Sequence, residues 1–190
     1  MIVAIGDSTA LLPLCEEVSA DHLLEIDGES LMDGFTRICN LDLIPEETEI
    51  LIIQGGLEDC NPFNSLIDKP QVQRFKTLYG DNVPETFFLF DQTNILTGLE
   101  RMTFHLETRI PEARVYVVPI IKVYGKALRL AGMINEELLQ WAENCDYHMV
   151  DGIDEQTGED YLEDIFTGEP NELWVSIVSD FIGKIEAENS

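Results

Sequence analysis

The 190-residue chain carries 37 acidic against 11 basic side chains, a net charge of −26, and is 45% apolar. That length and apolar share suit one α/β domain with a full core, and no window is apolar for long enough to span a membrane. So negative a field repels nucleic acid and anionic membrane and favours cations or basic partners.

Apolar runs that read as strands alternate with helical patterns along the chain. Ile2–Ile5 is the first strand and leads into Gly6-Asp7-Ser8. A short helix is expected over Leu11–Ser19, then a strand over His22–Ile26 ending at Asp27-Gly28, then a second short helix over Leu31–Ile38. Glu49–Ile53 is the third strand, closed by Gln54-Gly55-Gly56. The helix expected over Ile95–Arg109 has apolar residues at Leu96, Leu99, Met102, Leu106 and Ile110. Val115–Val118 is the fourth strand, and Leu128–Ala142 repeats the helical spacing. A weaker fifth strand, Tyr147–Val150, ends at Asp151-Gly152. The last helix is expected over Glu172–Ile185, with Asn171 after Pro170 as its N-cap.

This alternation predicts a mostly parallel five-stranded sheet with helices on both faces, a three-layer α/β sandwich of flavodoxin-like order. One domain is expected over residues 1–190. Residues 61–94 lack a clean period and hold Pro62, Pro70, Pro84 and Phe87-Phe-Leu-Phe90. They read as a lid, an oligomer contact, or a further helix and strand.

The acidity is concentrated at the two ends. Residues 1–60 hold 14 acids and 1 base, residues 61–135 hold 7 and 9, and residues 136–190 hold 16 and 1. A basic protein partner fits this pattern, and so does solubility or a salty environment. The four cysteines, Cys15, Cys39, Cys60 and Cys145, form no C-x-x-C pair, so reduced thiols in a cytoplasmic-type compartment are expected. A basic segment followed by an apolar one, the mark of a signal peptide, is not visible at the start.

In an open parallel sheet functional groups gather at the carboxyl ends of the strands, where the strand order reverses. Asp7-Ser8, Gly28, Gly55-Gly56 with Glu58-Asp59, and Asp151 belong there. Gly6-Asp7-Ser8 at the end of the first strand resembles the first block of the SGNH (GDSL-type) hydrolases. The resemblance implies an esterase fold in which Ser8 is the nucleophile and its backbone N–H helps to bind the oxyanion. Gly28 is similar to the glycine of the second block, which offers a further N–H; Gly34 is the weaker choice. Gly56-Leu-Glu-Asp59 resembles the third block, Gly-x-Asn-Asp. Phe166-Thr-Gly-Glu-Pro-Asn171 stands where the family has Asp-x-x-His before its final helix.

Two departures bear on chemistry. Glu58 replaces the oxyanion asparagine, and an ionised glutamate accepts hydrogen bonds where a donor is required. Losing one such donor costs about two to three powers of ten in rate. Glu169 stands at the histidine position, with Phe166 three residues earlier; a frame using Asp164 leaves Thr167 there instead. A carboxylate near its reference pKa of about 4.3 is poorly matched to a serine hydroxyl. Of the three histidines, His22 and His148 start their strands, away from Ser8, and His105 lies within a helix. All three read as structural or solvated.

The acids Asp7, Glu58, Asp59 and Glu169, with Asp151 and Asp164 near the same rim, have the oxygen-ligand chemistry of a Ca²⁺ or Mg²⁺ site. Residues 154–160 lack the acid spacing of an EF-hand, and a solvated acidic rim is the reading preferred over a metal site. No P-loop, flavodoxin phosphate loop or receiver-type lysine is present, and no cofactor is implied. The expectation is an SGNH-like domain retained for binding or assembly through its acidic surface, with a divergent serine esterase using Ser8 as the alternative.

Overall fold

The structure, a computed structural model, describes residues 1–56, 59, 92–121, 126–151, 153, 158–164 and 169–189. In chain order these form β1 (Ile2–Gly6), α1 (Ser8–Glu17), β2 (His22–Glu25), α2 (Leu31–Asn40) and β3 (Ile50–Ile53). After them come α3 (Gln92–Arg109), β4 (Arg114–Val117), α4 (Lys126–Cys145) and β5 (His148–Met149). A 3₁₀ turn over Gly158–Tyr161 precedes a short antiparallel pair, β6 (Leu162–Asp164) and β7 (Glu169–Pro170), and α5 (Glu172–Glu188) follows.

β1 to β5 form one parallel sheet in the order β2-β1-β3-β4-β5, so the order reverses at β1. Alternation along the strands divides the core in two. Val3, Ile5, Leu51, Ile53, Val115 and Val117 point to one face, which α2, α3 and α4 cover with Phe35, Leu99, Met102, Leu138 and Trp141. Ala4, Ile52, Tyr116 and Val118 point to the other, covered by Leu11 and Leu14 of α1 and Trp174, Val178 and Ile182 of α5. Period-2 strands between period-3.6 helices thus bury both faces of the sheet, and each side holds one of the two tryptophans. The expected three-layer architecture is present.

Local chemistry sets the helix starts. Asp7 caps α1 by accepting the Ala10 N–H at 3.2 Å, and Ser30 caps α2 by accepting the Asp33 N–H at 3.1 Å. Asn171 caps α5 by accepting the Trp174 N–H at 3.2 Å, as the sequence predicts. α1 begins at Ser8 rather than Leu11 and runs through Pro13, which leaves the carbonyl of exposed Thr9 without a helical partner. Within the helices Leu96, Leu139 and Leu173 are exposed, contrary to their expected core positions, while Ile95, Leu138 and Trp174 are buried.

Residues 60–91, most of the 61–94 segment expected to be a lid or contact, lie outside the described residues; 92–94 belong to the first turn of α3. Among the described residues no helix is long and apolar enough to cross a membrane. Cys15, Cys39 and Cys145 are free thiols. Burial pushes the first two up to about 11. Cys60 lies outside the described residues.

Candidate functional site

β1 and β2 pair in parallel with Val3 beside His22 and Gly6 beside Glu25, an offset of 19 residues. The ladder continues one step further, where the Ile26 N–H donates to the Gly6 carbonyl at 3.0 Å. Carried on, the same offset sets Ser8 against Asp27. The Ser8 N–H donates to Asp27 Oδ1 at 2.7 Å, and the Ser8 hydroxyl donates to Asp27 Oδ2. Ser8 is half-buried at the N-terminus of α1, whereas Asp27 is exposed.

A turn closed by the Glu29 N–H on the Ile26 carbonyl, 3.0 Å, presents Asp27. Gly28 is its third residue with φ +69°, the left-handed conformation that a glycine reaches at least cost there. A Cβ on Gly28 would meet nothing within 4 Å, so the position faces open space. Among the described residues its N–H has no hydrogen-bond partner. The turn is braced by Arg37, whose guanidinium holds Glu29 through Nε at 2.9 Å and the Glu25 carbonyl through Nη2 at 2.6 Å. Gly34, the weaker oxyanion choice, is inside α2 and donates its N–H to the Ser30 carbonyl at 2.9 Å.

Asp7 lies beside this pair. Burial pushes its carboxyl above the usual aspartate range, and the charge of Asp27 adds to the rise, against the hydrogen bond from Ala10. Asp59, expected from the sequence as the aspartate of the third block, accepts the Leu31 N–H at 2.7 Å and so serves the N-terminus of α2. Glu58, expected from the sequence at the asparagine position, lies outside the described residues. Gly56 before it is buried with φ +96°.

Glu169, expected from the sequence at the histidine position, is exposed in β7, which packs against α1 and leads through Pro170 into the Asn171 cap. Phe166 and Thr167 lie outside the described residues. Asp151 is exposed after β5. Among the described residues no three His, Cys, Asp or Glu side chains are grouped to hold a metal ion.

None of the three histidines bonds Ser8. His22 is exposed at the start of β2, level with Val3. His105 is buried in α3 with Nε2 3.6 Å from Asp42 Oδ1. His148 starts β5, the edge strand farthest from β2, beside Tyr116, and its ring stacks on that tyrosine at 5.2 Å.

The sequence reading missed Asp27 as a partner of Ser8. The signal was there: a carboxylate directly before Gly28, at the end of the strand that adjoins β1.

The whole architecture matches known structures. A protein from Lactobacillus plantarum superposes with a TM-score of 0.65 at 15% identity, covering 100% of this chain and 97% of that one. A protein assigned to the lipolytic G-D-S-L family from Desulfitobacterium hafniense gives 0.61 at 14% identity, over 97% and 98%. A psychrotrophic esterase from Pseudoalteromonas, solved with monoethylphosphonate as inhibitor, gives 0.51 at 16% identity, over 98% of each chain. The fold is that of the SGNH hydrolases. The SGNH likeness lies in the fold: no protein-family model matches the sequence. No curated protein matches it either. Ser8 stands directly after β1, at the reversal of the strand order.

Proposed function

We propose that the chain is a catalytically silent SGNH-like domain that works by binding, its acidic surface engaging a basic protein partner. The pairing of Ser8 with Asp27 carries this reading. A nucleophilic serine needs a base on its hydroxyl and free donors for the oxyanion. Here the hydroxyl is directed to a carboxylate, and the serine N–H is held by the same anion. A carbonyl oxygen arriving at that N–H would meet the negative charge of Asp27. Glutamates at the asparagine and histidine positions act in the same direction.

The alternative, a serine esterase using Ser8, draws on one observation. Gly28 is exposed, and its N–H has no hydrogen-bond partner among the described residues, as an oxyanion donor requires. That reaction needs Asp27 to swing clear and a base to replace it.

Hydrolysis of p-nitrophenyl butyrate and labelling by a fluorophosphonate probe, on wild type and Ser8→Ala, separate the two readings. The expected result is no labelling and no turnover that depends on Ser8. Turnover and labelling that both vanish in Ser8→Ala would establish the esterase instead.

A further inference from the structure

On the face of the sheet away from α1, the outer seam between α3 and α4 opens into a groove of about 410 Å³. Leu96, Thr103, Phe104 and Trp141 contribute to its lining. Leu96 and Phe104 are exposed to 40% and 70%, a large apolar surface for a helix that already buries Ile95, Leu99, Met102 and Leu106. The wall of the groove is fixed. The Trp141 indole N–H donates to Thr103 Oγ1 at 2.7 Å, and its ring meets Tyr147 edge-on at 5.2 Å. A preformed apolar wall reduces the ordering cost of whatever docks on it.

Charge is interleaved with this apolar surface. Along α3 the seam reads Leu96, Glu100, Phe104, Glu107, the spacing that places residues on one helical stripe. Glu137 faces the seam from α4. Neither Glu100 nor Glu107 forms an ion pair among the described residues. Apolar anchors alternating with Glu100 and Glu107 complement a helix with apolar residues at i, i+3, i+4 and i+7 flanked by Lys or Arg. The stripe from Leu96 to Glu107 is about 17 Å long, some three turns of such a helix.

We infer that the α3–α4 groove is a docking site for a basic amphipathic helix of a partner protein. It shares with the silent-domain reading only the sign of the partner's charge, and it holds whether or not Ser8 is catalytic.

The test uses the full chain and a fluorescein-labelled Leu/Lys helical peptide of about 14 residues, followed by anisotropy. Wild type is expected to bind it, and a peptide of the same composition with scrambled order to bind more weakly. Phe104→Ser, which changes no charge at an exposed position, should weaken binding about tenfold or more. Glu100→Lys with Glu107→Lys should do the same. Glu16→Lys with Glu17→Lys, an equal charge change on α1 across the sheet, should cost less than about threefold.

Equal losses in the two charge variants, or wild-type affinity in Phe104→Ser, would overturn the inference in favour of general attraction to an acidic protein. Absence of binding to wild type would also overturn it. So would a wild-type dimer that Phe104→Ser dissociates, since the occupant would then be a second copy. Ester turnover by Ser8 would overturn the silent-domain reading and leave these outcomes unchanged.

Discussion

Ser8 and Asp27 stand level on adjacent strand ends, and the Asp27 carboxylate takes both the N–H and the hydroxyl of Ser8. A single side chain thereby satisfies a helix N-terminal donor and the serine hydroxyl. The arrangement ties the end of β2 to the junction between β1 and α1.

The pairing predicts coupled stabilities. Asp27→Ala removes both bonds and should cost about 1–2 kcal/mol, Ser8→Ala only the hydroxyl bond and about 1 kcal/mol. The double variant should be no less stable than Asp27→Ala, a coupling of about 1 kcal/mol in a urea-unfolding cycle. Additive losses would mean that the two side chains act independently.

Asp7 supplies a pH signature. Its folded carboxyl is raised by burial and then by Asp27, so the folded state holds that proton more tightly than the unfolded chain. The associated stability is fully present below the unfolded pKa and is lost as pH rises through the folded value. Asp7→Asn retains the cap without the charge. Its melting temperature should exceed that of wild type at pH 7, with the gap closing towards pH 3. Calorimetry across that range reads the gap directly.

His105 should act in the opposite direction. Burial depresses its pKa; Asp42 opposes the shift, and Arg109 adds to it. A depressed imidazole leaves the folded state short of protons relative to the unfolded chain. Its stabilising contribution is therefore complete above the unfolded value of about 6.5 and is lost as pH falls through the folded one. His105→Gln should flatten that part of the stability curve between pH 7 and 5, measured by urea midpoints.

Gly28 and Gly56 both have positive φ, +69° and +96°, but their surroundings differ. Alanine at 28 meets open space and should cost about 1 kcal/mol for the left-handed backbone alone. Alanine at 56 would also set a Cβ 2.9 Å from Ile134 Cγ2, and should cost about 3 kcal/mol or more. Denaturant titration of the two variants checks the order.

β1, β3 and β4 were legible because each is a short run with β-branched residues that is buried on both faces, which leaves little ambiguity of period or type. β2 and β5, partly exposed and without β-branched residues, were marked by the Asp-Gly that follows each apolar run. Asn171 was legible for a local reason, an N-cap directly after proline. What escaped depended on information beyond local pattern. Leu96 and Ile95 are equally apolar neighbours, and only the packing of α3 on α2 decides which of them points inward. The Ser8–Asp27 pair required the register of β1 on β2, and a search for family motifs passes over a residue that no motif contains. The start of α1 was hidden by Pro13, a helix breaker in most contexts, whose orphaned carbonyl here belongs to the exposed Thr9 in the first turn.

The division of the core by the sheet also places the two indoles in separate compartments, Trp141 on one side and Trp174 on the other. Replacing either with phenylalanine leaves a single emitter that reports on one face alone. The two single-emitter chains can then show whether both layers melt together. Coincident fluorescence transitions would mean that five short strands transmit cooperativity through their full thickness. Separated ones would make the sheet a partition, with one layer free to loosen around a bound partner while the other remains intact.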